Sequence, residues 1–312
     1  MAKTVTVAII QARPEYYDLP KCVDKAVSLI TEAAGQGAQL VTLGETWFPG
    51  YPTWLDYSYD MGLWDHPPTK KVYARLYENS MALDSPEMSK LQEVAKQHGI
   101  VLLLGINEKV AIGRGNRSIY NTIVTIDETG TIVNHHRKLR PTYTEQLVWA
   151  QGDGAGLQAV DTVAGRVGGL VCWEHWMPHA RQAMHISNEQ IHVAMWPNAI
   201  ERHQLASRHY AFEGRTFVLA AGSIMPVSDL PPELRIDEAL SKTPEKLLLR
   251  GGSAIIGPDS EYIVKPVYDE ECILTAELDL TRILEEQMTL DVTGHYARDD
   301  VFSFDVNRRR TE

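Results

Sequence analysis

Cysteine is scarce in this 312-residue chain: Cys22, Cys172 and Cys272 stand far apart and are odd in number. That excludes a disulfide framework, and no Cys-x-x-Cys or Cys/His spacing suggests a structural zinc. No hydrophobic run approaches a membrane span. The apolar stretch of the opening MAKTVTVAIIQA is too short for a signal-peptide core, so the cytoplasm is the default expectation. Excess positive charge is missing as well: 30 Lys and Arg face 41 Asp and Glu, a formal net charge of −11. A field of that sign argues against nucleic acid or anionic membrane as a partner. The one basic run, Arg308-Arg309-Arg310, reads as a solvated tail. Linkers rich in Pro, Gly or Ser, internal repeats and low-complexity tracts are also absent. Residues 1–312 therefore read as one domain, with a short C-terminal tail from about 296.

What is present is a large apolar fraction, 44%, cut into short β-like runs. These are TVTVAIIQA, AQLVTLGE, IVLLLGINE, YNTIVTID, TIVNHHRK, VGGLVC, IHVAMWPN, TFVLAAGSI, GSAIIGPD and CILTAELDL. Several are continuously apolar, as strands buried on both faces are. Helical patterns alternate with them. In LPKCVDKAVSLITEAAGQG, Val23, Val27, Ile30 and Ala34 recur at helical spacing, with Pro20 in the first turn and Gly35 and Gly37 at the end. SPEMSKLQEVAKQHG has Ser85 to cap it, Pro86 to start it and Gly99 to stop it. MPHARQAMHISNEQ and ERHQLASRHYAFEGR read as two more helices. The pattern is that of a layered α/β protein with a mixed sheet. Two segments, 51–80 and 228–252, break the alternation and read as insertions at the sheet rim, where binding surfaces sit.

Three strand ends carry reactive side chains. Cys172 closes GRVGGLV and precedes a helix, a place where a thiol stands above a sheet and following backbone N–H groups face a developing anion. Glu45 closes AQLVTLGE. Lys138 closes TIVNHHRK, with Glu145 a short way on. A buried carboxylate beside a lysine can take a thiol proton, and the lysine can hold the negative charge formed by attack on a carbon–nitrogen or carbon–oxygen multiple bond. Each residue singly also has a plain reading: a cysteine at a strand end packs, and a Glu or Lys there is solvated. From the residues alone, an α/β enzyme with a cysteine nucleophile and a chain with a packing cysteine both stay open.

GETWFPGYP around Glu45, HRKLRPTYTEQLVWAQGDG around Lys138 and GGLVCWEHWMP around Cys172 resemble, in order and separation, the three signature blocks of the nitrilase superfamily. Cys-Trp-Glu resembles the nitrilase branch. The resemblance implies a four-layer α-β-β-α sandwich that dimerises across helices into an eight-layer assembly, with spiral oligomers of such dimers beyond it. It implies a Glu45–Lys138–Cys172 triad, with Glu145 as an additional structural or catalytic glutamate, no metal and no organic cofactor. The implied reaction is hydrolysis of an organic nitrile to the acid and ammonia. An aliphatic amidase, a cyanide-hydrolysing enzyme and a non-catalytic assembly protein on the same fold are the alternatives.

The histidines His175, His179, His185 and His192 lack the carboxylate pattern of a zinc site, and Pro178 interrupts their helix face. His175 is placed near the site by its distance from Cys172. His135 and His136 should divide between the two faces of their strand. Tyr51, Trp54, Trp173, His175 and Trp196 are the candidate substrate-binding residues, while Trp47, Tyr57 and Trp64 either line a pocket or fill a core. Glu213 and Arg215 read as an ion pair or an interface contact.

Overall fold

The computed structural model describes residues 4–113 and 115–310. One sheet gathers β1 (Thr4–Gln11), β2 (Leu40–Thr42), β3 (Val101–Lys109), β4 (Ile119–Ile126) and β5 (Ile132–Arg137). The other gathers β6 (Val160–Thr162), β7 (Gly165–Val171), β8 (Ile191–Met195), β9 (Phe217–Ala221), β10 (Ile224–Pro226), β11 (Leu247–Ile256) and β12 (Tyr262–Tyr268). The last strand, β13 (Cys272–Asp279), returns to the first sheet and pairs antiparallel with β1. The strand orders are β13-β1-β2-β3-β4-β5 and β10-β11-β9-β8-β7-β6, with β12 on β11. β1, β2 and β3 run parallel, as do β7, β8 and β9.

Alternation along the strands divides the interior. On β1, Val5, Val7 and Ile9 face the second sheet's Val167, Val193 and Leu219, while Ala8 and Ile10 face the opposite way. That opposite face packs on α1 (Leu19–Gly35) and α4 (Pro86–His98), through Val23, Ile30, Leu91 and Val94. The outer face of the second sheet is covered by α5 (Pro178–His185) and α6 (Glu201–Gly214), through Ala183, Met184, Ala206 and Tyr210. The four layers are thus helix, sheet, sheet, helix, the expected sandwich. The α4 signals act as read: the Ser85 hydroxyl accepts from Met88 N–H at 3.2 Å, and Gly99 takes φ 63°.

The two insertions meet each other. Residues 54–79 fold into the short helix α2 (Trp54–Tyr57) and the longer α3 (Pro67–Asn79). Asp60 accepts from the Arg235 backbone at 2.8 Å, and Tyr59 N–H donates to Arg235 O at 2.9 Å. Among the described residues no helix is long and apolar enough to cross a membrane.

Two expectations are corrected here. Glu213 and Arg215 do not pair with each other. Glu213 binds Arg181 and His185, whereas Arg215, turned aside by its left-handed φ of 49° at the end of α6, reaches Pro258 O and Glu286. The basic run is not wholly a solvated tail either. Arg310 ion-pairs with Asp153 at 3.0 Å and donates to His135 O at 2.7 Å, so Arg310 docks on the first sheet's rim.

Candidate active site

Each reactive group stands just past the end of a strand, where the backbone leaves the sheet. Glu45 follows β2, Lys138 follows β5 and Cys172 follows β7. The first two belong to one sheet and the third to the other, so sheet stacking brings them together. Backbone around the site is bent into the left-handed region: φ is 44° at Thr46 beside Glu45, 43° at Tyr143 two residues before Glu145, and 51° at Cys172. Such conformations cost energy for residues with a Cβ and persist only where surroundings enforce them. Gly105 on β3 shows the enforcement. A Cβ there would collide with Gly44 O and lie 2.7 Å from Thr46 N, so only glycine lets the Glu45 turn sit against β3.

The side chains converge in a buried box. A carboxylate oxygen of Glu45, one of Glu145 and the Cys172 sulfur all lie within 4.8 Å of one another. The Lys138 ammonium bridges the two carboxylates, donating to Glu45 Oε1 at 3.0 Å and to Glu145 Oε2 at 2.6 Å. Glu145 is held on both oxygens: Tyr51 OH donates to its Oε1 at 2.8 Å, and Thr142 N–H to its Oε2 at 2.6 Å. Glu45 is not. Asn121 Nδ2 joins Lys138 on Oε1 at 2.6 Å, and Oε2 has no partner among the described residues. The two carboxylates, alike in sequence, differ in one free oxygen.

The electrostatics follow from burial. Loss of water pushes Glu45 up to about 7, with the Lys138 charge opposing and Glu145 reinforcing. Burial works against the Lys138 charge, but Glu45, Glu145 and Cys172 outweigh it and raise that pKa. Burial, then Glu45, raises the Cys172 thiol well above its ordinary value, against Lys138 and the Trp173 N–H that faces the sulfur. At rest the sulfur is therefore a thiol beside an available base, not a standing thiolate.

Two residues that sequence reading passed over complete the frame. Glu174 accepts Val171 N–H and Leu139 N–H, each at 2.7 Å, and faces His136 Nε2 at 2.9 Å. It ties the residue before Cys172 to the residue after Lys138. Its signal was an acidic side chain three residues past a strand end, a capping position. Asn121 carried a signal as well, a polar side chain inside the apolar run YNTIVTI.

The candidate binding residues fall in different places. Tyr51 is in the box. Trp173 contributes its N–H there and its ring to a cleft of about 490 Å³, with Tyr143, Trp176 and Met177. Trp54 is buried and borders another cleft, about 730 Å³, with Trp64, Tyr73, Leu147 and Val148. Trp196 and His175 lie below the site. The Trp196 ring is fully buried between His175 and His203, its Nε1–H on Ser207, and only its backbone carbonyl reaches up to accept Glu45 N–H at 3.1 Å. Trp47 fills the core, while Trp64 is 98% exposed. His136 is buried and His135 partly open, dividing the strand faces as alternation predicts.

The arrangement places a thiol, a base with a free oxygen, a fixed ammonium and a backbone donor around one point. That is equipment for nucleophilic addition to a polarised carbon. Residues 6–285 match the carbon–nitrogen hydrolase family. An aliphatic nitrilase of Rhodococcus rhodochrous is 37% identical over 324 aligned residues, covering 99% of this chain and 84% of that protein. An arylacetonitrilase of Aspergillus kawachii is 36% identical and covers 96% of this chain and 91% of that protein. The crystal structure of a carbon–nitrogen hydrolase from Helicobacter pylori has the same fold, with a TM-score of 0.70 at 19% identity over 96% of this chain and 97% of that one. On the family match and the full-length relatives together, the chain belongs to the carbon–nitrogen hydrolases, and it is an enzyme.

Proposed function

We propose that the enzyme is a nitrilase that hydrolyses an organic nitrile to the carboxylic acid and ammonia, with Cys172 as nucleophile. The observation that carries the reading is a Glu45 carboxylate with one unpartnered oxygen, within 4.8 Å of a neutral thiol and bound by Lys138. Relatives named aliphatic nitrilase and arylacetonitrilase support it.

Glu45 takes the Cys172 proton as sulfur adds to the nitrile carbon. The nitrogen is protonated and a thioimidate results. Glu45 then activates water, which adds to the same carbon. Lys138 and the Trp173 N–H stabilise the tetrahedral species, each donor of this kind being worth roughly 3–4 kcal/mol. Ammonia leaves, and a second water releases the acid from the thioester. Should the tetrahedral species expel sulfur instead, the product is the amide. Glu145, fixed by Tyr51 and Thr142, orients Lys138.

The subunits pair across α5 and α6, a reading supported by exposed Leu205 (62%) and Phe212 (45%) on that face. Ammonia release from a panel of nitriles, the matching amides and cyanide tests the activity. Acid and ammonia should form from at least one nitrile, and Cys172→Ala should form neither. Near wild-type turnover by folded Cys172→Ala overturns the mechanism, and turnover of amides or cyanide without nitriles overturns the substrate class.

A further inference from the structure

Beneath Cys172 runs a buried polar chain that the proposed mechanism leaves unused. His175 Nδ1 lies 2.8 Å from Cys172 O, and its Nε2 lies 2.9 Å from His192 Nε2. His192 Nδ1 lies 3.0 Å from Glu189 Oε2, and the Tyr210 hydroxyl donates to Glu189 Oε1. Glycine at position 168 on β7 leaves room for Glu189: a Cβ on Gly168 would sit 2.7 Å from Glu189 Oε2.

We infer that His175 is a positioning residue: by holding the Cys172 carbonyl it aims the Trp173 N–H at the reacting sulfur, and His192 and Glu189 hold His175 in the tautomer this requires. The inference rests on the nitrilase reading only in taking Cys172 as the nucleophile. The geometry is that of one peptide plane. The Cys172 carbonyl and the Trp173 N–H belong to the same trans peptide and point in opposite directions. A donor that fixes the carbonyl from below therefore fixes the N–H toward the sulfur above. Cys172, in a left-handed conformation, needs such a restraint.

The chain has one polarity. A carbonyl only accepts, so His175 carries its proton on Nδ1. Burial, then His192, keeps His175 neutral, and its Nε2 must accept from His192 Nε2–H. Burial, then the neighbouring His185, keeps His192 neutral too, so its Nδ1 must accept from Glu189. Glu189 is thus a carboxylic acid in this arrangement, and burial raises it to about 7 against the pull of His185 and the Tyr210 hydroxyl. Removing that proton reverses the order. Both rings then exchange tautomers, so that His192 Nδ1–H donates a hydrogen bond to the carboxylate, His175 Nε2–H donates to His192 Nε2, and a bare His175 Nδ1 faces the Cys172 carbonyl. The surrounding groups are His185 and Arg181 on α5, Tyr210, Glu213 and His203 on α6, and Glu174 at the elbow. Glu213 is already tied to Arg181 and His185 and held down to about 2, so it does not compete for the Glu189 proton.

The test has an arm that needs no activity. In protein labelled with ¹⁵N-histidine, with His175→Asn and His192→Phe supplying the assignments, His175 should appear as the Nδ1–H tautomer and His192 as the Nε2–H tautomer at pH 6.5. The second arm uses the nitrile that wild type turns over best. Losing an oxyanion donor costs roughly 10²–10³ in kcat, so His175→Phe, which misaims one, should lose roughly tenfold or more with KM little changed. His175→Asn, whose amide offers a donor where Nδ1–H stood, should recover most of that loss. Wild-type kcat should fall above about pH 7 as Glu189 loses its proton, and Glu189→Gln, a donor that does not titrate, should remove that basic limb. An Nε2–H tautomer at His175 overturns the inference. So does folded His175→Phe with kcat within twofold of wild type, or a basic limb unchanged in Glu189→Gln. If His175→Phe does not fold, the tautomers and the Glu189→Gln profile decide. Absence of turnover in wild type defeats the nitrilase reading alone, and the tautomers still judge the chain.

Discussion

Replacing Glu174 with glutamine removes a charge without removing volume, and its cost follows from the bonds the carboxylate makes. Each oxygen accepts one backbone N–H at 2.7 Å, Oε2 from Val171 and Oε1 from Leu139, and His136 Nε2 lies 2.9–3.0 Å from both. Glutamine keeps one acceptor and turns the other into a donor. His136 can adapt, because its Nδ1 has no partner among the described residues and the ring can exchange tautomers to accept from the new NH₂. A backbone amide has no such freedom, so either Val171 or Leu139 is left facing a donor. A charge-assisted bond is worth roughly 1.5–3 kcal/mol and an orphaned buried donor costs roughly 1–3 kcal/mol. Glu174→Gln should therefore be destabilised by about 2.5–6 kcal/mol, read as a lower urea midpoint at unchanged slope. It should also lose activity, because the two amides flank Cys172 and Lys138, and a misplacement of about 1 Å costs on the order of 10² in rate. A variant within about 0.5 kcal/mol of wild type, with kcat within twofold, would refute the claim that this side chain clamps the two strand ends.

Two further predictions concern the box. Because Glu45 accepts a proton only when ionised, kcat/KM should drop as pH falls through about 7, approaching tenfold per unit at lower pH; a flat profile between pH 5 and 8 excludes Glu45 as the base. Lys138→Met should abolish turnover and lower stability at pH 8 by about 3–5 kcal/mol, since it leaves two carboxylates buried without their cation. A stable Lys138→Met enzyme keeping a tenth of wild-type activity would contradict both parts.

The sequence carried the positions of the reactive groups because each closes an apolar run, and runs buried on both faces are conspicuous. The helix limits were equally open, since Ser85, Pro86 and Gly99 act through their own backbone neighbours. What was hidden depends on side chains meeting across layers. Glu174 looks like any acidic residue after a cysteine until Leu139, 35 positions earlier, is seen to donate to it. Strand alternation alone could not tell whether Trp196 faces the cleft or α6, and Ser207 and His203 on α6 receive its ring. The Glu213–Arg215 pairing failed for a local reason, the left-handed turn at Arg215 that sends neighbouring side chains to different partners. Strands β6 and β10 are three residues long, too short for periodicity to reveal, and Pro266 disguised β12.

The box also explains why two carboxylates serve one lysine. At rest Lys138 sits between Glu45 and Glu145, and the thiol is neutral. In the proposed mechanism the thiol proton moves to Glu45, so negative charge leaves one neighbour of the ammonium and appears on another, the sulfur, within 4.8 Å of one oxygen of each carboxylate. The total charge of the cavity does not change. The ammonium keeps one fixed counter-ion, Glu145, which Tyr51 and Thr142 hold in place through both oxygens. Were Glu145 absent, the attraction between Lys138 and Glu45 would hold Glu45 ionised and lower its basicity. Were Lys138 absent, the thiolate would form next to Glu145 with nothing to offset the repulsion. In the proposed mechanism the two carboxylates thus take separate roles. Glu145 keeps the lysine charged and in place, and Glu45, with its free oxygen, is left free to change protonation state.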